Sequence, residues 1–545
     1  MSTPSLTRSS IAMASGTVAS RVLGVLRQSL IVYAVGQGIV GNLFQTANNL
    51  PNVIYMLIAG GVLNSVLVPQ IVKAMRLPDA GQEYTDRIIT LSCVGMLIVT
   101  FVCTAVSGLL IRLYAADLPD DQLALATFFA TLTLPQIFFY GLYAVLGQVL
   151  NARNQFAAFG WAPAFANVLS IVGLVAFLGL YNGHVGPMEW TAGMVWVFAG
   201  TATLSVVAQA LVLVIALARS GFHWTPRFGV RGVGLRTTSR VAGWAFLALV
   251  LSQLGYLVAS NVMYHASNSA APGEFIPGVL LYSTAFFVFM VPHAFVALSI
   301  ITALYPRMSA AVHDGDAERL RGEYVRGLVL PTVLTIPASF ALAVFALPIA
   351  TLLFTSRNPQ EVPATALVIA VMAPAVVPFG IDVLNQRFFY AHDDGRMVFF
   401  EQVVLTVSGT AVTVFALALR PQITVAIVGL GIVVSNVLSS AFGMWFVRRR
   451  LGRIGLKAVA NSWLRMVAAG AISAGLGYLA SAAVASALPG RLGALVQLLV
   501  GGAVFAVIYV VLTVLLGVRE VHDILGPLFR RLPSRRPPGR HAARS

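Results

Sequence analysis

The feature that most constrains this chain is a succession of apolar stretches of 20 residues or more, with charges confined largely to the short segments between them. A hydrocarbon layer about 30 Å thick takes roughly 20 helical residues to cross. Lipid-spanning barrel strands would instead alternate apolar and polar residues. Fourteen spans can be read, at roughly 10–34, 40–72, 88–111, 122–151, 156–181, 190–218, 241–263, 276–305, 327–354, 362–386, 397–419, 422–447, 466–488 and 492–517. Only 10% of the residues are charged, against about 25% in a soluble domain, which excludes an ordinary cytosolic enzyme, a disordered chain and a collagen-like one. The fold class is an all-α polytopic membrane protein. The first span is too long for a cleaved signal peptide and has Arg21 and Arg27 inside it. Cys93 and Cys103 share one apolar stretch and provide neither a disulfide framework nor a metal spacing.

The net charge of +16, from 35 basic and 19 acidic residues, reports topology rather than nucleic-acid binding. With the N-terminus in the cytoplasm and the spans alternating, 29 basic residues fall inside, among them Arg153, Arg240, Arg307 to Arg326 and the cluster at 448–457. Only Arg112, Arg357, Arg420 and Arg491 fall outside, and Arg21 and Arg27 are intramembrane. This positive-inside bias predicts a membrane protein with both termini cytoplasmic. The basic, Pro-rich end LFRRLPSRRPPGRHAARS is expected to be disordered and drawn to anionic head groups; a solubilising, topology-fixing end is the plainer reading of the same composition.

Internal similarity divides the chain. The fourth span reads LPQIFFYGLYAVLGQVLN and the tenth APAVVPFGIDVLNQRFFY. Pro135 and Gly141 match Pro374 and Gly380 at an offset of 239; Gln148 matches Gln386 at 238 and Pro69 matches Pro306 at 237. A near-constant offset predicts two six-helix lobes of like topology, as in transporters built from repeats. The expected organisation is a first lobe at 1–218, a basic cytoplasmic linker at 219–240, a second lobe at 241–447, two further helices within 448–517 and a tail at 518–545.

No nucleotide-binding loop, zinc-protease motif, nucleophile elbow or paired ligand set occurs, so a transporter rather than an enzyme is expected, with no cofactor and no metal. The functional candidates are then intramembrane polar groups, because a charge in hydrocarbon costs about 3 kcal/mol unless it faces water or a partner. Arg21 and Arg27, with Gly24 between them as a candidate hinge, lie about 9 Å apart along a helix and roughly 120° around it. Both fit one wide cavity, where guanidinium suits a phosphate; snorkelling of Arg21 to the inner interface is the competing reading. Asn42, Gln45, Asn49 and Asn52 share one helical face followed by Tyr55. That stripe either lines a path for hydroxyl and peptide groups or forms an interhelical hydrogen-bond seam. Pro51, Gly60 and Gly61 are candidate bending points of the same span. Gln253, Tyr256 and Ser260 repeat the stripe faintly, and His293 follows Pro292; a satisfied hydrogen-bonding histidine is commoner than a proton relay. Asp382 and Glu401 are the only acids near membrane depth, with Arg387 and Arg396 close enough in sequence to neighbour them.

These residues resemble the MurJ/MviN family of lipid II flippases, within the multidrug/oligosaccharidyl-lipid/polysaccharide exporter superfamily, and look most like its actinobacterial branch. SRVLGVLRQ resembles the family's opening motif, with Arg21 and Arg27 at its two arginine positions. LPNVIYMLIAGGVLNSVLVPQ, VLNARNQFAAFGWAPAFANV and VLNQRFFYAHDDGR resemble family segments in the second, fifth and tenth spans. The resemblance implies two lobes plus two helices forming a groove for a lipid tail. It also implies an undecaprenyl-diphosphate-linked disaccharide-pentapeptide as cargo, moved from the inner to the outer leaflet by alternating access. Arg21 and Arg27 would hold the diphosphate, and the amides would line the path. The chain departs from the family where Asn42, Asn49, Tyr55, Gly60, Phe286 and Phe287 occupy positions that are charged in well-studied members, and it lacks an acidic set resembling the family's sodium site. Coupling to the membrane potential or to an ion gradient such as protons is therefore expected, the ion being undefined. The competing readings are an exporter of another polyprenyl-linked glycan and a non-transporting scaffold that recruits cell-wall synthesis proteins through its basic loops.

Overall fold

A computed structural model describes residues 6–58, 82–153, 155–181, 187–222, 224–229, 240–271, 274–486, 488–518 and 520–521. Among the described residues every regular element is helical, as hydrocarbon requires of backbone groups that no water can satisfy. The first half holds α1 (Leu6–Val35), α2 (Ile39–Ile58), α3 (Gln82–Ala105), α4 (Ser107–Tyr114), α5 (Asp120–Thr133), α6 (Gln136–Ala152), α7 (Phe156–Tyr181) and α8 (Ala192–Arg219). The second half holds α9 (Arg240–Asn268), α10 (Val279–Pro292), α11 (Leu298–His313), α12 (Ala317–Val329), α13 (Thr332–Val344), α14 (Ala346–Leu353), α15 (Glu361–Met372), α16 (Val376–Ala391), α17 (Gly395–Phe415) and α18 (Thr424–Leu451); α19 (Leu456–Ala483) and α20 (Gly490–Leu515) follow.

Thirteen described stretches are long and apolar enough to cross a membrane, where fourteen were expected. The remaining span is α2, whose amides lower its hydropathy and whose expected continuation, with Gly60, Gly61 and Pro69, lies outside the described residues. Residues 230–239 of the linker and the tail beyond residue 521 lie outside them too. Large apolar side chains such as Phe101, Leu109, Leu464 and Leu492 stand more than 60% exposed, the surface expected to meet lipid.

The matched prolines of the repeat act alike. Pro135 separates α5 from α6, and Pro374 sits in the 3-10 turn Ala373–Ala375 between α15 and α16, because a proline ring leaves the preceding turn without its hydrogen bond. Helix pairing recurs as well. α7 packs on α1 and α8, as α17 packs on α9 and α18; α6 meets α8, as α16 meets α18; α2 meets α5, as α10 meets α15. The α1–α7 crossing is so close that a Cβ on Gly16 would lie 2.6 Å from the Gly160 carbonyl oxygen, and one on Gly395 would lie 2.8 Å from that of Val241 across α9–α17. α19 and α20 cross through Gly477 and Gly501 and rest on α13 and α14. Past α8, the start of the linker is tied to α3: Thr225 Oγ1 donates to Asp86 at 2.6 Å, Trp224 Nε1 to Thr90 at 3.2 Å, and Arg227 pairs with Glu83 at 3.3 Å.

Candidate functional site

α1 runs unbroken through Gly24 and α2 through Pro51. The two arginines of α1 diverge, as their spacing around the helix dictates. Arg21 reaches across to the second half and lies over the Phe295 ring at 4.6 Å, on the π-helical turn His293–Ala297. Arg27 points into a cavity of about 30 Å³ inside the first half, between α1, α2, α6, α7 and α8, about the room one water needs. Asn48, Gln136, Tyr140, Ser170 and Ser205 surround it. Gln136 Nε2 donates to Asn48 at 3.3 Å and Thr203 at 3.0 Å, and the Tyr140 hydroxyl donates to Gln136 at 3.3 Å. The Arg27 Nε is buried with no hydrogen-bond partner, and neither arginine makes an ion pair among the described residues. Two membrane-depth cations without a carboxylate leave positive charge available to an anion, and guanidinium offers the planar donor set that phosphate oxygens accept.

The second half has its own cavity in the equivalent place, about 250 Å³ between α9, α10, α16, α17 and α18, with Tyr256, Tyr282, Gln402, Thr406 and Asn436 on its walls. Hydroxyls and amides thus face the position where the first half has a cation.

The amide stripe of α2 meets the other half. Asn42, 1% exposed, accepts the Leu280 backbone N–H at 2.9 Å. α10 begins after Gly278, which has no side chain to cap it, so a residue 238 positions away in the chain supplies the N-terminal cap that a helix end needs. A Cβ on Gly278 would lie 2.1 Å from Asn42 Nδ2; only glycine admits the amide. The Tyr256 hydroxyl of the second half faces Asn49 and Ser283, and Thr46 bonds Tyr264 at 2.8 Å. Gln45, Asn52 and Tyr55 are half-buried, with the Tyr55 ring 5.9 Å from that of Tyr140 beside the Arg27 cavity. The stripe therefore descends from a seam between the halves toward the cation.

More cross-links cluster around that seam. The Gln37 N–H donates to Glu361 at 2.9 Å and Thr365 Oγ1 donates to Gln37 at 2.9 Å. Gln28 donates to Thr284 at 3.1 Å, and the Ser29 hydroxyl bonds the Leu353 carbonyl. Asn261 bridges Leu113 and Ala116 at 2.8 and 2.9 Å, while Asp117 holds His265 at 3.0 Å and Asn268 through its carbonyl at 2.8 Å. All of these lie toward the end of the bundle that carries Arg112, Arg357, Arg420 and Arg491.

The other expected residues are placed as follows. Gln253 is half-buried, and Ser260 is fully buried with an unpartnered hydroxyl. His293, 2% exposed, packs its ring 4.5 Å from Phe379, and its Nδ1 has no hydrogen-bond partner, so it is an aromatic-packed histidine rather than a satisfied one. Phe287 approaches Gly24 of α1. Asp382 and Glu401 do not pair with Arg387 and Arg396, whose guanidinium groups lie over Tyr305 at 5.4 Å and Phe400 at 5.5 Å. Gln28, Gln37, Asn48, Gln136, Thr284 and Glu361 were not singled out in the sequence. Gln136 directly follows the breaking proline, a signal that could have found it; Glu361, at a span boundary, reads as interfacial.

Comparison with known proteins gives a concordant result. The family model for lipid II flippase MurJ matches residues 31–498. The probable lipid II flippase MurJ of Rhizobium meliloti (strain 1021) is 27% identical over 426 residues, 75% of this chain and 76% of its own length. The lipid II flippase MurJ of Burkholderia cenocepacia is 25% identical over 487 residues, 86% of this chain and 89% of its own. A solved structure of lipid II flippase MurJ in an inward closed conformation superposes with a TM-score of 0.71 at 17% identity, covering 95% of this chain and all of that one. An inward-facing multidrug resistance MATE family transporter of the MOP superfamily follows at 0.61 and 17%, over 83% of this chain and 96% of its own; at such identities these likenesses show the fold. With helices at the expected spans and a family match across most of its length, the chain is a multi-pass membrane protein that belongs to the lipid II flippase MurJ family.

Proposed function

We propose that this chain is a flippase carrying lipid II from the inner to the outer leaflet of the bacterial plasma membrane, its two halves rocking about a central cavity in alternating access. The observation that carries the reading is the one-sided seam: among the described residues, the side-chain hydrogen bonds at Asn42, Gln37, Gln28, Asn261 and Asp117 join the halves toward one end. With the opposite, arginine-rich end cytoplasmic, this is a state sealed toward the outside, in which the halves meet farther in only through packing contacts such as Arg21 over Phe295 and Phe287 against Gly24. Both termini are then cytoplasmic. Arg21, which faces the second half, binds the diphosphate while Arg27 adds its charge from inside the first half, the amides from Asn49 to Asn52 meet the sugar and peptide, and α19 with α20 guides the polyprenyl tail. Asn42 acts as a gate residue rather than as part of the path, since it is buried in the seam. The basic linker and tail associate with anionic lipids. Movement is driven by differential binding or an ion gradient, no nucleotide site being needed.

The test is lipid II exposure on the outer leaflet after depletion, with rescue by the wild type or by an Arg21→Ala, Arg27→Ala double variant at equal expression. Loss of exposure restored by the wild type alone supports the reading. Normal exposure in depleted cells that have no second flippase refutes it, and full rescue by the double variant removes the arginines from the path.

A further inference from the structure

We propose that Asp382 and Glu401 form a proton-binding site in the second half, and that its occupancy biases the outer gate through the hinged span that carries Asp382. The second clause rests on the transport reading above; the first does not.

Glu401, on α17, is fully buried, and neither of its carboxylate oxygens has a hydrogen-bond partner. Asp382, on α16 and 4% exposed, accepts from Ser439 Oγ at 2.5 Å and from Gln386 Nε2 at 3.0 Å. Ser439, from α18, also bonds the Glu401 backbone carbonyl at 3.2 Å, which ties the two acids together. The nearby Asn385 accepts the Tyr324 hydroxyl at 2.6 Å and donates one amide hydrogen to the Ser440 carbonyl at 3.1 Å, leaving its second N–H beside Glu401 as a neutral donor.

The surrounding elements supply no positive charge. α12 presents Tyr324; α16 presents Tyr390, with Arg387 turned onto Tyr305 of α11; α17 has Arg396 turned onto Phe400; α18 presents Ser439, Ser440 and Gly443; α9 presents Trp244 to Phe399. Neither acid is in an ion pair. Two unpaired carboxylates in hydrocarbon are costly as anions and cheap as acids. Space selects the ligand. A Cβ on Gly443 would lie 1.8 Å from Glu401 Oε1, so a proton enters without moving a helix, whereas a metal ion with its oxygen shell does not.

α15 and α16 are one membrane-spanning unit, Glu361–Ala391, divided by the turn at Ala373–Ala375. Its far end carries Glu361 and Thr365, which clasp Gln37. Losing the proton leaves an anion between α16, α17 and α18 that is relieved by separating them, and the displaced α16 acts on the clasp across the turn.

The test uses the purified full-length protein in vesicles. Infrared spectroscopy in H2O and D2O reads the carbonyl stretch of protonated carboxyl groups at neutral pH. The expected result is a band component that Glu401→Gln removes and Asp382→Asn shifts, the differences excluding other buried acids such as Glu361. Spin labels across the gate then report its open fraction from mildly acidic to mildly alkaline conditions. The expected result is a pH-dependent fraction in the wild type and a pH-independent one in Glu401→Gln. No component lost in either variant overturns the site. A component lost without any pH dependence of the gate overturns the coupling. Failure of the flippase reading leaves the infrared result unchanged.

Discussion

Replacing Asn42 with alanine is expected to open the seam between the halves. The Asn42 carbonyl oxygen is the side-chain cap of α10, 2.9 Å from the Leu280 N–H, and both residues are buried. Loss of an N-terminal cap costs about 0.5–2 kcal/mol, and a buried donor left unpaired costs about 1–3 kcal/mol. Asn42 and α10 belong to different halves, so the contact exists only while the gate is closed. A net loss of about 1–2 kcal/mol from that state alone shifts the closed-to-open ratio roughly 5- to 30-fold toward open. Spin labels at Asp121→Cys and Gln360→Cys, exposed on opposite halves of the gated face, read the ratio as a distance distribution once Cys93 and Cys103 are replaced. Asn42→Asp keeps an acceptor, strengthened by the positive end of the helix, and is expected to restore the closed distance. Identical distributions for wild type, Asn42→Ala and Asn42→Asp would refute the cap as a gate element.

Two further substitutions probe the scaffold. Gly16→Ala drives a Cβ toward the Gly160 carbonyl at 2.6 Å; overpacking of about 1–3 kcal/mol lowers the thermal midpoint in detergent, whereas Gly243→Ala, where a Cβ meets nothing within 4 Å, leaves it unchanged. Asp86→Ala removes the acceptor of Thr225, about 1–3 kcal/mol of local anchoring, so limited proteolysis between residues 219 and 240 should quicken while the helical core stays intact. An unchanged cleavage rate would mean that the linker is held by other contacts.

Most of the fold was legible in the sequence because hydrocarbon admits few solutions. Apolar runs such as 192–219 have to be helices that satisfy their own backbone, and the matched Pro135 and Pro374 interrupt equivalent helices because a proline breaks a turn wherever it falls. The second span shows the limit: the amides of its described part, α2, keep that helix below the hydropathy of the other spanning helices, so hydropathy understates the residues most engaged with the opposite half.

The site was legible only in part. Residue type and helical spacing determined that Arg21 and Arg27 lie at membrane depth and diverge, and that Asn42, Gln45, Asn49 and Asn52 share a face. What that face meets was decided by the tertiary structure. Asn42 caps a helix 238 residues away, and Gln37 is clasped by Glu361 across 324. Neither partner is encoded near the residue it serves. The same holds for the two buried acids: sequence proximity suggests Arg387 and Arg396 as their counter-charges, and packing turns those arginines onto aromatic rings instead. Periodicity along a helix is local, so it assigns a residue to a face; the neighbour of that face depends on how helices distant in the chain pack, between the halves at the seam and within the second half at the acid pair.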